Sequence, residues 1–499
     1  KRVSSINLRA IQPKLYFMSQ LDQYAKELSF QTDRRRATVA LIKIISDLWY
    51  DQSIELVLFR NQLIDRNASE ILNLHQYAGA VVEKPISIFD TVDIAQAIQK
   101  IKLPPAKIDL GTLTHEYHLS GQPHQDAMEF VSDRLKNAKK QKSIVPKDIV
   151  LYGFGRIGRL LARELMNRTG KGNLMRLRAI VTRDANDATS LAKRASLLQL
   201  DSVHGDFAGT VTVDLEKKAL IINGTTVHMI SANQPEDIDY SAYGISEALI
   251  IDNTGAFRDD VALNRHLKSK GAAKVLLTAP GKGIPNIVYG VNHLAHTPKK
   301  TKIVSAASCT TNAITPILKV IEDNLGVENG HLETIHAYTN DQNLVDNMHS
   351  KYRRGRAAAL NMVITETGAG QAVCKALPNF EGKLTSNAIR VPVPNGSLAI
   401  LNLNLTKPTT FDALNALIKT HALEGPLVEQ IKYSINNELV SSDIIGSPAP
   451  SIYDSHATIV RADGLNVVLY VWYDNEYGYS QQVIRLARYI SEVNRFTYY

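Results

Sequence analysis

The chain has 499 residues, 44% of them hydrophobic and 21% charged, with a formal net charge of +8 and two cysteines. That length builds two or three domains with their own cores, the composition excludes a disordered or fibrous chain, and two cysteines exclude a disulfide framework. The positive charge leaves two readings, a nucleic-acid partner or small anions drawn into a cleft; the basic runs Arg34–Arg36 and Lys139–Lys142 lack the interleaved aromatics of single-strand binding, which disfavours the first.

No leader pattern opens the chain, and its most apolar helical stretch, Ala37–Ile45, is interrupted by Lys43 and too short for a bilayer. The chain reads as cytoplasmic, without a membrane span. From Asn7 to about Lys142 apolar residues recur at three- and four-residue steps, as at Val39, Ile42, Ile45 and Trp49. This helical period predicts an all-helical N-terminal region over 1–147, broken at Pro85 and at Pro104 and Pro105, and closed by the linker KKQKSIVPK, Lys139–Lys147. His115, His118 and His124 gather there without cysteines or tight carboxylate spacing, so no metal is expected.

DIVLYGFGRIGRLLARELM, Asp148–Met166, predicts a buried strand, a glycine turn and a helix. Gly153, Gly155 and Gly158 form G-x-G-x-x-G, in which the first glycine permits the turn, the second admits a pyrophosphate and the third packs helix on strand. The pattern alone is weak; its place between strand and helix makes it a dinucleotide site. The next strand, LRAIVT, ends at Thr182, where an acidic residue would hold the adenosine ribose. Arg183 there favours a 2′-phosphate while Asp184 can serve the ribose, so NAD and NADP both stay open.

KIVSAAS, Lys302–Ser308, ends a strand, and NAITPILKVIEDNL, Asn312–Leu325, starts a helix. Cys309 therefore stands at a helix N-terminus, where free amides and the helix dipole stabilise a thiolate. Cys374, within GQAVCKAL, has the character of a small buried hydrophobe. His336, in ETIHAYTNDQ, is a candidate base, although one of 14 histidines near a cysteine means little by itself.

GFGRIGR, SCTTN, HAYTNDQ, RRGRAAALN, TGAGQAV, RVPVPN and WYDNEYGYS, in this order, resemble phosphorylating glyceraldehyde-3-phosphate dehydrogenase over about residues 148–499. Residues 1–147 lie outside the resemblance. It implies an α/β fold, with a Rossmann-like NAD(P)-binding domain at 148–308 completed by a C-terminal helix in 477–499. It also implies an α+β catalytic domain at 309–476 built on an antiparallel sheet, and a homotetramer.

The implied substrates are glyceraldehyde 3-phosphate and inorganic phosphate, with Cys309 as nucleophile and His336 as its base. Ser308, Thr367, Gly368 and Arg354 match the site of the attacking phosphate. Thr339, Asp341 and Arg390 match the site of the substrate's own phosphate, with Asp341 orienting an arginine, and Thr310 joins the substrate-binding set. Arg156, Ile157, Thr254, Thr278, Asn475 and Tyr479 match cofactor positions. Arg183, and Asn347 and Met348 where NAD-specific members carry Leu-Pro, predict use of both NAD and NADP.

Glu366 replaces a small or hydroxyl residue beside the attacking-phosphate site and predicts weak phosphate binding unless it turns away or pairs with an arginine. Two alternatives remain: a preference for erythrose 4-phosphate, and an interaction protein whose helical extension binds a partner.

Overall fold

A computed structural model of the chain describes residues 11–120, 126–141, 144–172 and 174–499, with side chains from residue 22 onward. It divides into two compact units, one made of residues 1–143 with 495–499 and the other of residues 144–494. Among the described residues no helix is long and apolar enough to cross a membrane.

The first unit contains the expected helices, Ile11–Gln52, Ala68–Ala80, Ile88–Lys100, Leu110–Leu119 and Ala127–Arg134. In the longest, Leu41, Ile44, Ile45, Leu48 and Trp49 are buried while Val39 faces solvent. The all-helical expectation needs one correction: a four-stranded sheet runs in the order Asn61–Gln62, Ile54–Leu58, Ala106–Asp109, Phe496–Tyr498. A short apolar run such as Ile54–Leu58 has no period that separates a strand from a buried helix, and its strand neighbours are remote in sequence.

Phe496–Tyr498 pairs in parallel with Ala106–Asp109. It is anchored by a buried ion pair between Arg495 and Glu55, with Lys107 3.9 Å from the same carboxylate. Fully buried Asp109 accepts the backbone N–H groups of Phe59, Arg60 and Thr112 at 2.8, 2.9 and 3.0 Å. These bonds hold Phe59 and Arg60 in the left-handed region and tie their turn to the helix that follows Asp109. His124 lies outside the described residues, and among the described residues no group of three or more His, Cys, Asp or Glu is placed to hold a metal.

The second unit carries two sheets. The first runs Ile303–Ser305, Ala272–Leu277, Ala248–Asp252, Lys147–Tyr152, Met175–Thr182, Thr225–Ser231, Ala219–Ile222, Val211–Asp214. It is parallel except for its last two pairings. The strand order reverses at Lys147–Tyr152, whose carboxyl end opens the crevice in which such sheets bind nucleotides. The helix Tyr477–Ile490 packs Tyr479, Val483, Ile484, Ala487 and Ile490 into the core beneath this sheet.

The second sheet runs Val363–Thr365, Leu384–Val391, Val327–Ala337, Ser397–Leu405, Asn466–Tyr473, Ser451–Asp454, Ile431–Ser434. The expectation of an antiparallel sheet is corrected at two pairings, which are parallel: Val327–Ala337 with Leu384–Val391, and Ile431–Ser434 with Ser451–Asp454. The first of these sets His336 directly opposite Arg390.

Candidate active site

The glycine loop meets its physical demands. Gly153 has φ +102°, and a Cβ on Gly158 would stand 2.6 Å from the carbonyl oxygen of Gly153, so only glycine lets the helix Arg156–Asn167 approach the strand. A Cβ on Gly155 would meet nothing within 4 Å, which leaves open space where a pyrophosphate approaches the helix N-terminus. At neighbouring strand ends, Thr254 donates its hydroxyl to Asp252 at 2.7 Å and Thr278 donates to the Asp252 carbonyl at 3.1 Å. The buried side-chain oxygens of Thr182 and Asn253 lack a protein partner. This crevice fits a dinucleotide.

Arg156, the first residue of that helix, turns its side chain to two carboxylates. It clamps Glu476 through Nη2 at 2.6 Å and Asp201 through Nη1 at 3.1 Å, while Ile157 packs on the core below. Arg183 is exposed at the end of Met175–Thr182, and the carboxylate of Asp184 beside it pairs with Arg194 at 2.7 Å.

Cys309 opens the helix Cys309–Asn324, as its sequence setting predicts. Ser308 caps that helix, accepting the Thr311 N–H at 3.0 Å. Ala307 before it is held in the left-handed region, φ 56°, between the Ser305 hydroxyl that accepts its N–H and the Tyr479 hydroxyl that donates to its carbonyl. Tyr479 is therefore a buried support beneath the nucleophile's turn. Cys374 is partly buried and its thiol meets only the Gly370 carbonyl among the bonds described, at 3.6 Å.

The Cys309 sulfur lies 3.6 Å from His336 Nε2. His336 Nδ1 lies 2.7 Å from both its neighbouring carbonyl, Ala337, and Arg390 Nη1; in the tautomer with the proton on Nδ1, Nε2 is the acceptor facing the thiol. Arg390 donates to the same carbonyl at 2.8 Å. Burial, and then the Arg390 charge, press the His336 pKa down to about 3. Burial pushes the Cys309 thiol up, against the pull of Arg390 and the amides of Thr310 and Cys309. The helix terminus thus acts on the thiol in the expected direction, and desolvation opposes it.

Ser308, Cys309, Thr310, His336, Arg354, Thr367, Gly368 and Arg390 line one cavity of about 450 Å³. Asp341 does orient an arginine, since it pairs with Arg354, whose Nε also donates to Thr365 at 3.1 Å. Thr339 lies outside the cavity lining, its carbonyl accepting the Gln342 N–H at 2.9 Å. Asn475 is buried, its Oδ1 fixed by the Ser397 hydroxyl at 2.7 Å.

Tyr473, which ends the strand Asn466–Tyr473, supports the site from below. Its hydroxyl bridges Thr310 at 3.0 Å and Thr334 at 2.7 Å, and its ring stands edge-on to His336. Arg258, Lys351 and Lys375 also reach the cavity. No local pattern marks these residues, because chain segments remote in sequence bring them together.

Residues 147–260 match the family model for the glyceraldehyde 3-phosphate dehydrogenase NAD binding domain, and residues 308–475 match the model for the C-terminal domain of the same enzyme. A glyceraldehyde-3-phosphate dehydrogenase-like protein of Pseudomonas aeruginosa is 47% identical over 91% of this chain and 99% of its own length, so the likeness extends into the first unit. The glyceraldehyde-3-phosphate dehydrogenase of Kitasatospora aureofaciens is 41% identical over 67% of this chain and 96% of its own. Glyceraldehyde-3-phosphate dehydrogenase 1 of Bacillus subtilis is 39% identical over 68% and 97%.

Proposed function

The chain belongs to the glyceraldehyde-3-phosphate dehydrogenase family and is an NAD-dependent oxidoreductase, and on that premise we propose that it converts glyceraldehyde 3-phosphate to 1,3-bisphosphoglycerate through a thioester on Cys309 that inorganic phosphate cleaves. The observation that supports this reading most is the 3.6 Å approach of Cys309 to His336 Nε2 in a cavity also lined by Arg354, Thr367 and Arg390.

His336 Nε2, facing the sulfur at 3.6 Å, takes the thiol proton as the sulfur bonds to the aldehyde carbon. NAD, when bound, supplies the hydride acceptor. Arg390 and the helix amides favour the thiolate that leaves when the thioester is cleaved. Arg354 and the Thr367 hydroxyl hold the attacking phosphate, and an arginine fork suits that task. In the crevice, Asn475 would hold the nicotinamide amide, and the Gly155 backbone would admit the pyrophosphate.

NADP use is part of the proposal. It is supported by exposed Arg183 and by the Arg194 pair that occupies Asp184, the carboxylate otherwise available to the ribose. A homotetramer is supported by Leu344, Met348, Tyr352, Leu360 and Met362, each more than three-quarters exposed within one segment.

The test is NADH and NADPH formation from glyceraldehyde 3-phosphate, with and without phosphate, for the wild type and Cys309→Ser, with erythrose 4-phosphate alongside. Phosphate-dependent turnover lost in Cys309→Ser is expected. Turnover indifferent to phosphate or to Cys309 overturns the reading, and faster turnover of erythrose 4-phosphate transfers it to that aldehyde.

A further inference from the structure

Glu366 does find a partner, and it is a lysine: Lys351 Nζ lies 3.6 Å from Glu366 Oε2. Both residues line the cavity of Cys309, and both line a second cavity of about 540 Å³ that shares Thr367, Gly368 and Gln371 with the first and continues to Thr385 and Ser386. The pair therefore stands where the two chambers join, beside the Thr367–Gly368 turn. Among the described residues, Lys351 is the one cation in the lining of the outer chamber.

The other cations of the inner cavity are held in place by protein partners, Arg258 among them through the Gly255 carbonyl at 2.8 Å. Arg354 is held by Asp341 and Thr365, Arg390 donates to the Ala337 carbonyl, and Lys375 donates to the Gly281 carbonyl at 3.2 Å. The contact of Lys351 is of a different kind, because Glu366 is 92% exposed and an ion pair in water is weak and readily exchanged.

We propose that Lys351 is a specificity-determining cation of the attacking-phosphate subsite, held at its rim by Glu366 and passed to the incoming oxyanion dianion. This rests on the phosphorylating reading above. Lys351 raises the local phosphate concentration and Glu366 opposes it, so the pair sets how much phosphate the enzyme needs.

The experiment measures initial rates against phosphate concentration for the full chain, and the alkylation rate of Cys309 by anionic iodoacetate relative to neutral iodoacetamide. In Lys351→Met the phosphate KM rises roughly three- to tenfold at low salt, less at high salt, while the aldehyde and NAD KM values stay in place. Lys351→Arg keeps the wild-type phosphate KM, and Glu366→Gln lowers it. The iodoacetate to iodoacetamide ratio falls in Lys351→Met and rises in Glu366→Gln.

A phosphate KM in Lys351→Met equal to that of the wild type, or an equal rise in the aldehyde KM, overturns the inference. If the wild type turns over without phosphate, the phosphorylating reading falls by itself. The alkylation ratio then decides on Lys351 alone, and an unchanged ratio overturns its role.

Discussion

His336 and Arg390 stand directly opposite each other in a parallel strand pairing, with Arg390 Nη1 2.7 Å from His336 Nδ1. Both groups reach for the Ala337 carbonyl, so a fixed positive charge sits behind the imidazole on the side away from the thiol. That charge opposes a proton on His336 and favours the ionised form of Cys309.

Arg390→Leu removes the charge. The His336 pKa then rises from about 3, and the Cys309 thiol rises further above its usual range. Alkylation of Cys309 by iodoacetamide, followed against pH without any turnover, is expected to move to higher pH. A profile that stays in place would assign the control of the thiol to the helix amides alone.

Two glycines of one loop separate stability from binding. Gly158→Ala sets a methyl 2.6 Å from a backbone oxygen that has no room to yield, which costs about 1–3 kcal/mol of stability in chemical denaturation. Gly155→Ala meets nothing within 4 Å, so its stability stays near wild type while its NAD affinity, read by fluorescence titration, falls.

Burial pushes the Asp201 carboxyl up, but the His204 and Val203 amides and Arg156 outweigh it and hold the pKa at about 2, below the ordinary 3.8. A depressed carboxyl stabilises the fold fully above its unfolded value and loses that contribution as pH falls through its folded value. The loss falls between about pH 4 and pH 2 and, discounted for the water around the carboxyl, is about 1 kcal/mol. Urea denaturation across that window should show a slope that is reduced in Asp201→Asn.

Arg495→Ala removes one of the two cations at buried Glu55, and breaking a buried pair costs about 3 kcal/mol or more. The first unit should become the earlier site of cleavage in limited proteolysis. NAD binding by the second unit should be unchanged.

The glycine loop, the helix that begins at Cys309 and the strand that ends near His336 were legible because each is a local pattern whose chemistry depends on neighbours in the chain. Arg390 was legible through its motif, but its place behind His336 depends on a parallel register that no short window contains. Tyr473 was invisible as a support because its partners, Thr310 and Thr334, come from two other elements. The setting of the Cys309 thiol is legible only in part for a related reason: a helix terminus can be read from sequence, whereas the depth of burial around it is a tertiary property. The sheet of the first unit was missed because its strands are short and one of them follows the whole dehydrogenase unit in the chain.

That last strand sets an order of events during synthesis. Residues 54–109 leave the ribosome early, yet the edge of their sheet is filled only when Phe496–Tyr498 arrives. At about 5–20 residues per second the wait is roughly 20 to 80 seconds. Throughout that interval the strand Ala106–Asp109 presents an open edge, the template on which wrong chains pair. The dehydrogenase unit can fold meanwhile, so of the two units the one begun earlier is the one completed later.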